Sequence, residues 1–264
     1  MLDDPRSNRV KGITRLSQKD ARYETGLFLL EGPQGLKELA RSKDLVEEIF
    51  VTAAGQERYA DLLRMFPASV QVEVSDQVMA RIADTKTPQG IVSVVHHVDV
   101  PMDELLRLKP KLVAIVDQGR DPGNIGTIIR AADAAGADGI ILSPDSVDIY
   151  NQKVARSTAG SILNIAIVLD QDLGEAISML KEAGLQVFST AASGRSIAEL
   201  DKAVLAEPTA WIFGNEAHGV SSQVALLADD SVSLPIYGSA ESLNLATAAS
   251  VCLYFTAVAQ QSSH

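Results

Sequence analysis

Residues 112–116, Leu-Val-Ala-Ile-Val, are an unbroken apolar run between Lys111 and Asp117. A run this short reads as a strand, and a strand with no polar face must be covered on both sides. That demands a mainly parallel sheet sandwiched by helices. The rest of this half of the chain supplies the parts. Strand signals recur over residues 139–142, 165–169, 186–190 and 209–213. Helical stretches lie between them: one through Ala135, one over residues 173–183, and an alanine-rich one over residues 242–260. The first hundred residues alternate strand and helix on a smaller scale. Strands are expected at residues 28–30, 48–51, 70–74 and 90–98, with helices after Gly32-Pro33, over 56–65, and after Asp76 as a cap. Pro101 and Pro110 flank a short helical linker, which puts the domain boundary near residue 105. The expectation is an α/β chain with a small domain over residues 1–105 and a larger one over 106–264.

Composition narrows the function class. The chain is 46% hydrophobic and 22% charged, which excludes a disordered or fibrous protein. One cysteine, Cys252, excludes an intrachain disulfide and a cysteine-only zinc site. No stretch approaches the roughly 18 apolar residues of a membrane span. The N-terminus lacks the apolar core of a signal peptide, so a soluble, cytoplasmic protein is expected. The formal net charge of −11 argues against nucleic acid as a partner. The distribution argues the other way. Between Pro5 and Arg22 stand Arg6, Arg9, Lys11, Arg15, Lys19 and Arg22 against Asp20 alone. Beyond residue 181 the only cations are Arg195 and Lys202, among many acids. A basic N-terminal arm on an acidic body suits either a local anionic partner or a plain solvated helix.

Three motifs follow strand ends in the second half, the edge where open α/β sheets bind ligands. The first runs from Asp117 through Asp121-Pro122-Gly123-Asn124 to Arg130, with Asn124 expected as the helix cap. Ile125, Ile128 and Ile129 take the buried side, which leaves the Arg130 guanidinium beside the packing surface. Its donor fork suits a phosphate. The second, Phe213-Gly214-Asn215-Glu216-Ala217-His218-Gly219, holds a carboxylate in a two-glycine loop. The third runs from Leu234-Pro235-Ile236 through Gly238 to Glu241-Ser242-Leu243-Asn244 at the last helix. Each alone is also an ordinary capped turn, and His218 reads as an exposed loop residue. The G-x-G-x-x-G dinucleotide fingerprint is absent, which disfavours a nicotinamide oxidoreductase.

In this order, N-x-G-x-x-x-R, F-G-N-E-x-x-G and P-x-x-G-x-x-E-S-L-N resemble the SpoU (TrmH-type) family of RNA 2′-O-ribose methyltransferases, of the SPOUT class. The resemblance covers residues 111–262. The first hundred residues are similar, more loosely, to the family's RNA substrate-binding domain. The resemblance implies a trefoil-knotted methyltransferase domain, a homodimer and S-adenosylmethionine as cofactor. A sulfonium is a ready leaving group and the sequence has no clustered metal ligands, so no metal is expected. The resemblance further implies a methyl-donor site lined by Gly214, Leu234 and Leu243 with Ile236 close by. It also implies a polar catalytic set of Asn124, Arg130, Glu216, Ser242 and Asn244. Ala217 stands where family loops often have glycine. The expected substrate is structured RNA, ribosomal rather than transfer RNA. The alternatives are a transfer-RNA enzyme and a non-catalytic RNA-binding protein of the same fold. The arm from Arg6 to Arg22 is expected to contact phosphates.

Overall fold

The computed structural model describes residues 1–215 and 217–262. Contacts divide the chain into two units, Met1–Val98 with Asp148–Asn164, and Asp99–Val147 with Ile165–His264. The division is more involved than one boundary near residue 105, because the chain returns to the first unit after leaving it.

The first unit is built on β1 (Leu27–Glu31), β2 (Val46–Val51), β3 (Gln71–Glu73) and β4 (Ile91–His96), in the order β1-β4-β2-β3. All neighbours are antiparallel except β2 and β3. Ser75, not Asp76, caps the helix Asp76–Ile82, its hydroxyl accepting from the Val78 amide. Residues 56–65 form parts of two short helices, Ala53–Arg58 and Ala60–Leu63, in place of one.

The basic arm is not an arm. Apart from Arg6, its cations lie on the helices Asn8–Arg15 and Lys19–Thr25, whose Val10, Ile13 and Ala21 are buried. Arg22 is only 2% exposed, which removes it from any phosphate-facing set. Its Nη1 donates to the Leu16 carbonyl at 2.8 Å and its Nε to Asp148 Oδ2 at 3.0 Å, while Nη2 pairs with the same carboxylate. Asp148 opens the returning segment. Two residues on, the Tyr150 ring stacks on His97 at 3.7 Å between centroids, and its hydroxyl accepts from the Val98 amide. A buried guanidinium needs its carboxylate, and the returning segment supplies it.

The second unit holds β5 (Leu112–Val116), β6 (Gly139–Leu142), β7 (Ala166–Val168), β8 (Gln186–Ser196), β9 (Thr209–Phe213) and β10 (Asp230–Ser233). Their order is β10-β8-β9-β5-β6-β7, and every pair is parallel. Every residue of β5 and β9 is buried, as an apolar run requires. The helix Pro122–Ala135 buries Ile125, Ile128 and Ile129. Between β8 and β10 the register jumps. Ser231 pairs with Ser189, but Val232 pairs with Arg195, so residues 190–194 leave the ladder. Gly194 permits this, since a Cβ there would lie 2.5 Å from the Ser231 carbonyl oxygen.

The last helix is Leu245–Gln261, three residues later than the alanine-rich stretch suggests. It is fixed along its length. Asn244 caps it, Thr256 accepts from the Trp211 indole at 2.9 Å, and Gln260 Nε2 donates to the carbonyls of Lys111 and Glu207. Cys252 is buried in it, and burial pushes the thiol up to about 12, so no thiolate is available for chemistry. No helix among the described residues is long and apolar enough to cross a membrane.

Asp148→Ala strands the buried Arg22 charge and should lower the unfolding free energy by about 3–5 kcal/mol. Urea denaturation measures it; a loss below about 1 kcal/mol, the worth of a surface pair, contradicts this account.

Candidate active site

In the parallel sheet of the second unit, the C-terminal ends of β5, β8, β9 and β10 all point to one edge. Each is followed by chain that cannot continue as strand. After β10, Pro235 lacks the amide a ladder needs. After β9, Gly214 sits so close to the returning chain that a Cβ would lie 1.9 Å from the Gly219 carbonyl carbon. Gly219 has φ 70°, a left-handed conformation that glycine tolerates. Asn215 and Gly219 then exchange backbone hydrogen bonds at 3.0 and 2.8 Å, closing the turn.

Chain at the ends of β9 and β10, part of β8 and the start of the last helix line a cavity of about 450 Å³, within the range of small-molecule sites. Gly214, Leu234, Ile236 and Leu243 line it, and so do Ser242 and Asn244. Sequence reasoning missed Thr190, Ala191 and Ala192, which also line it from the out-of-register part of β8. Their signal was available: three small residues at the end of an apolar strand, on the edge where ligands bind. Asn215 lines the cavity too. Glu241 is the one charged residue among the described lining residues. Small side chains, backbone groups, hydroxyls and amides suit an amphipathic cofactor better than a polyphosphate. Among the described residues, no group of three or more His, Cys, Asp or Glu is arranged to hold a metal ion.

Two of the expected polar residues meet. Asn244 Oδ1 accepts from the amides of Ala246 (2.9 Å) and Thr247 (3.3 Å), which fixes the side chain as a helix cap. Its Nδ2 is therefore turned outward and donates to Asn124 Oδ1 at 2.9 Å. Asn124 is not itself a cap, as the sequence suggested. Asp121 caps that helix through the Asn124 amide at 2.8 Å, because Pro122 must take the first helical position. Asn124 is thus inside the first turn, with its side chain left for Asn244. Arg130 lies on the same helix, about 9 Å further along the axis, and is exposed. It does not line the cavity. Ser242 is in the loop before the helix, exposed, and does not cap it. Glu216 lies outside the described residues. His218 is exposed.

Residues 111–254 match the SpoU rRNA methylase family, and residues 7–93 match an MRM3-like substrate-binding domain. The chain belongs to the SpoU rRNA methylase family. Among SpoU relatives, the 23S rRNA (guanosine(2553)-2′-O)-methyltransferase RlmP of Bacillus subtilis is 33% identical over 259 residues, covering 96% of this chain and 97% of the relative. The 23S rRNA (uridine(2479)-2′-O)-methyltransferase of Streptomyces viridochromogenes is 32% identical over 74% of this chain and 69% of its own length. The crystal structure of the SpoU methyltransferase AviRb from Streptomyces viridochromogenes, in complex with the cofactor AdoMet, superposes with TM-score 0.83 at 29% identity. It covers 98% of this chain and 100% of that one.

The SpoU loop after β9 has no room at its first glycine. Gly214→Ala must displace the Gly219–Val220 backbone and should cost about 2–4 kcal/mol, in the range of overpacking and strain. Thermal unfolding checks this, and a melting temperature equal to wild type contradicts the close approach.

Proposed function

We propose that this chain is an S-adenosylmethionine-dependent methyltransferase that modifies a ribose 2′-hydroxyl of structured RNA, with ribosomal RNA as substrate. One observation carries the reading most directly. Asn244 lines the cavity, caps the last helix and bonds Asn124, so residues of two separate motifs converge at the rim of one site. The activities of the relatives and the AdoMet complex of a structural neighbour support the same reaction. Asn124, Arg130, Glu216, Ser242 and Asn244 form the proposed polar set, and Gly214, Leu234, Ile236 and Leu243 the donor site.

When bound, S-adenosylmethionine supplies an activated methyl group on a sulfonium, so the protein's task is to align the attacking oxygen. Asn244 has one oxygen committed to the cap and one amide group committed to Asn124. This fixed pair orients the ribose at the rim. Arg130 stays protonated and donates only, so it does not remove the proton. It clamps the phosphate next to the target ribose and stabilises negative charge on the 2′-oxygen as it attacks. The proton leaves to a phosphate oxygen or water. Glu216 is assigned to ordering its loop or Arg130.

Substrate choice is assigned to the first unit. With Arg22 buried and Arg9 paired to Glu48, the cations offered to phosphate are Arg6, Lys11 and Lys19, with Arg15 weakly held by Glu24 at 3.4 Å. A homodimer belongs to the same proposal. On the last helix Tyr254, Phe255 and Val258 are 47%, 44% and 61% exposed, an apolar stripe that a second copy covers. The trefoil threading of the second unit is likewise proposed, from the family.

Arg130→Lys keeps the charge and loses the fork. Turnover on RNA should fall about 10–100-fold while S-adenosylmethionine affinity by calorimetry stays within about threefold. Full turnover by this variant sinks the clamp. Replacing Arg6, Lys11 and Lys19 together by Gln should weaken RNA binding and flatten its salt dependence without altering cofactor binding. Unchanged RNA affinity removes this surface from the substrate site.

A further inference from the structure

Gln118, just past β5, has φ 57°, a left-handed conformation that costs a non-glycine residue about 1–2 kcal/mol. It is held there from two sides. Its amide donates to Ser143 Oγ at the end of β6, at 2.8 Å. Its carbonyl accepts from Asn215 Nδ2 at the end of β9, at 2.9 Å. The next residue is tied as well: the Gly119 carbonyl accepts from the Val147 amide at 2.8 Å. A second tie runs parallel to the first. Asp117, 4% exposed, accepts from the Ser221 amide at 2.8 Å. Strain retained by surrounding contacts is a mark of functional positions.

Asn215 is the joint of this arrangement. Its Oδ1 closes the loop by accepting from the Ala217 amide at 2.9 Å, which directs Nδ2 to Gln118. Asn215 lines the cavity, whereas Gln118 lies four residues before the helix that carries Asn124. Asn124 in turn returns to the cavity through Asn244. Two hydrogen bonds, Asn215 to Gln118 and Asn244 to Asn124, together with the covalent chain from Gln118 to Asn124, therefore close a circuit that leaves the cavity and returns to it.

From this circuit we infer that Asn215 is a positioning residue that transmits occupancy of the donor cavity to the segment 118–124, setting Asn124 for the ribose only when the methyl donor is bound. The inference rests on the function proposed above. It assigns to that site an order, donor first and RNA alignment second. Asn215 touches no reacting atom in this account and acts through Gln118 and Asn124.

Hydrogen exchange of the full chain, with and without S-adenosylmethionine, tests it. In wild type the donor should slow exchange across the amides of residues 118–124. Asn215→Asp keeps the oxygen that closes the loop but sets a carboxylate against the Gln118 carbonyl. At donor concentrations that saturate it by calorimetry, this variant should lack the added protection at 118–124 and should lose about tenfold or more in turnover. If Asn215→Asp does not fold, Asn215→Ser is used; its hydroxyl can close the turn but is too short to reach Gln118. Wild-type protection in the variant, or no donor-dependent protection in wild type that binds donor, overturns the coupling. Wild type that binds no S-adenosylmethionine overturns the proposed function itself, and the coupling falls with it.

Discussion

The side chain of Asn244 serves two ends at once. A helix begins with amides that lack partners, and Asn244 Oδ1 takes two of them. Once that oxygen is committed, the amide nitrogen has one direction left, and Asn124 stands in it at 2.9 Å. The last helix is then located by its packing on β9 and by Gln260 at its far end. The helix Pro122–Ala135 is located by its isoleucines. Asn244, which lines the cavity, is thus held by its own helix and by a residue of another.

The first unit solves a different problem. A small unit needs a core, and the proposed RNA surface needs cations. The helices Asn8–Arg15 and Lys19–Thr25 turn Val10, Ile13 and Ala21 inward and leave Lys11 and Lys19 exposed, with Arg6 exposed just before the first helix. Arg22 falls on the inner face, and the chain returns at Asp148 to neutralise it. Under the proposed function, the acidic balance of the whole, −11, confines RNA affinity to a few placed cations. Weak general attraction with strong local contact favours a folded RNA of defined shape over any polyanion.

Much of this was readable in the residues. Buried parallel strands announce themselves, because a run such as residues 112–116 has no solvent face. Two of the three motifs brought Gly214, Leu234, Ile236, Leu243, Ser242 and Asn244 to one cavity. Local chemistry with two candidates was harder. Asp121 and Asn124 are both good caps, and Pro122 between them decided for Asp121. Ser75 and Asp76 posed the same choice. Long-range pairing was not readable. Nothing local to Arg22 indicates that a carboxylate 126 residues later will bury it. Nor does residue pattern indicate that five residues of β8 leave the ladder, since register is decided by the neighbouring strand. Gln118 is hidden for a related reason: its left-handed backbone is imposed by Ser143 and Asn215, from two other strand ends.

Methyl transfer to a ribose 2′-oxygen leaves a mark that alkali reads directly. The purified protein is incubated with methyl-labelled S-adenosylmethionine and ribosomal RNA from cells lacking it, and the product is hydrolysed in alkali. Alkaline cleavage requires a free 2′-hydroxyl, so a 2′-O-methyl protects one phosphodiester. The account predicts that the label is recovered in an alkali-resistant dinucleotide, at a single site. Label recovered in mononucleotides, as base methylation gives, or no transfer to ribosomal RNA at all, contradicts it.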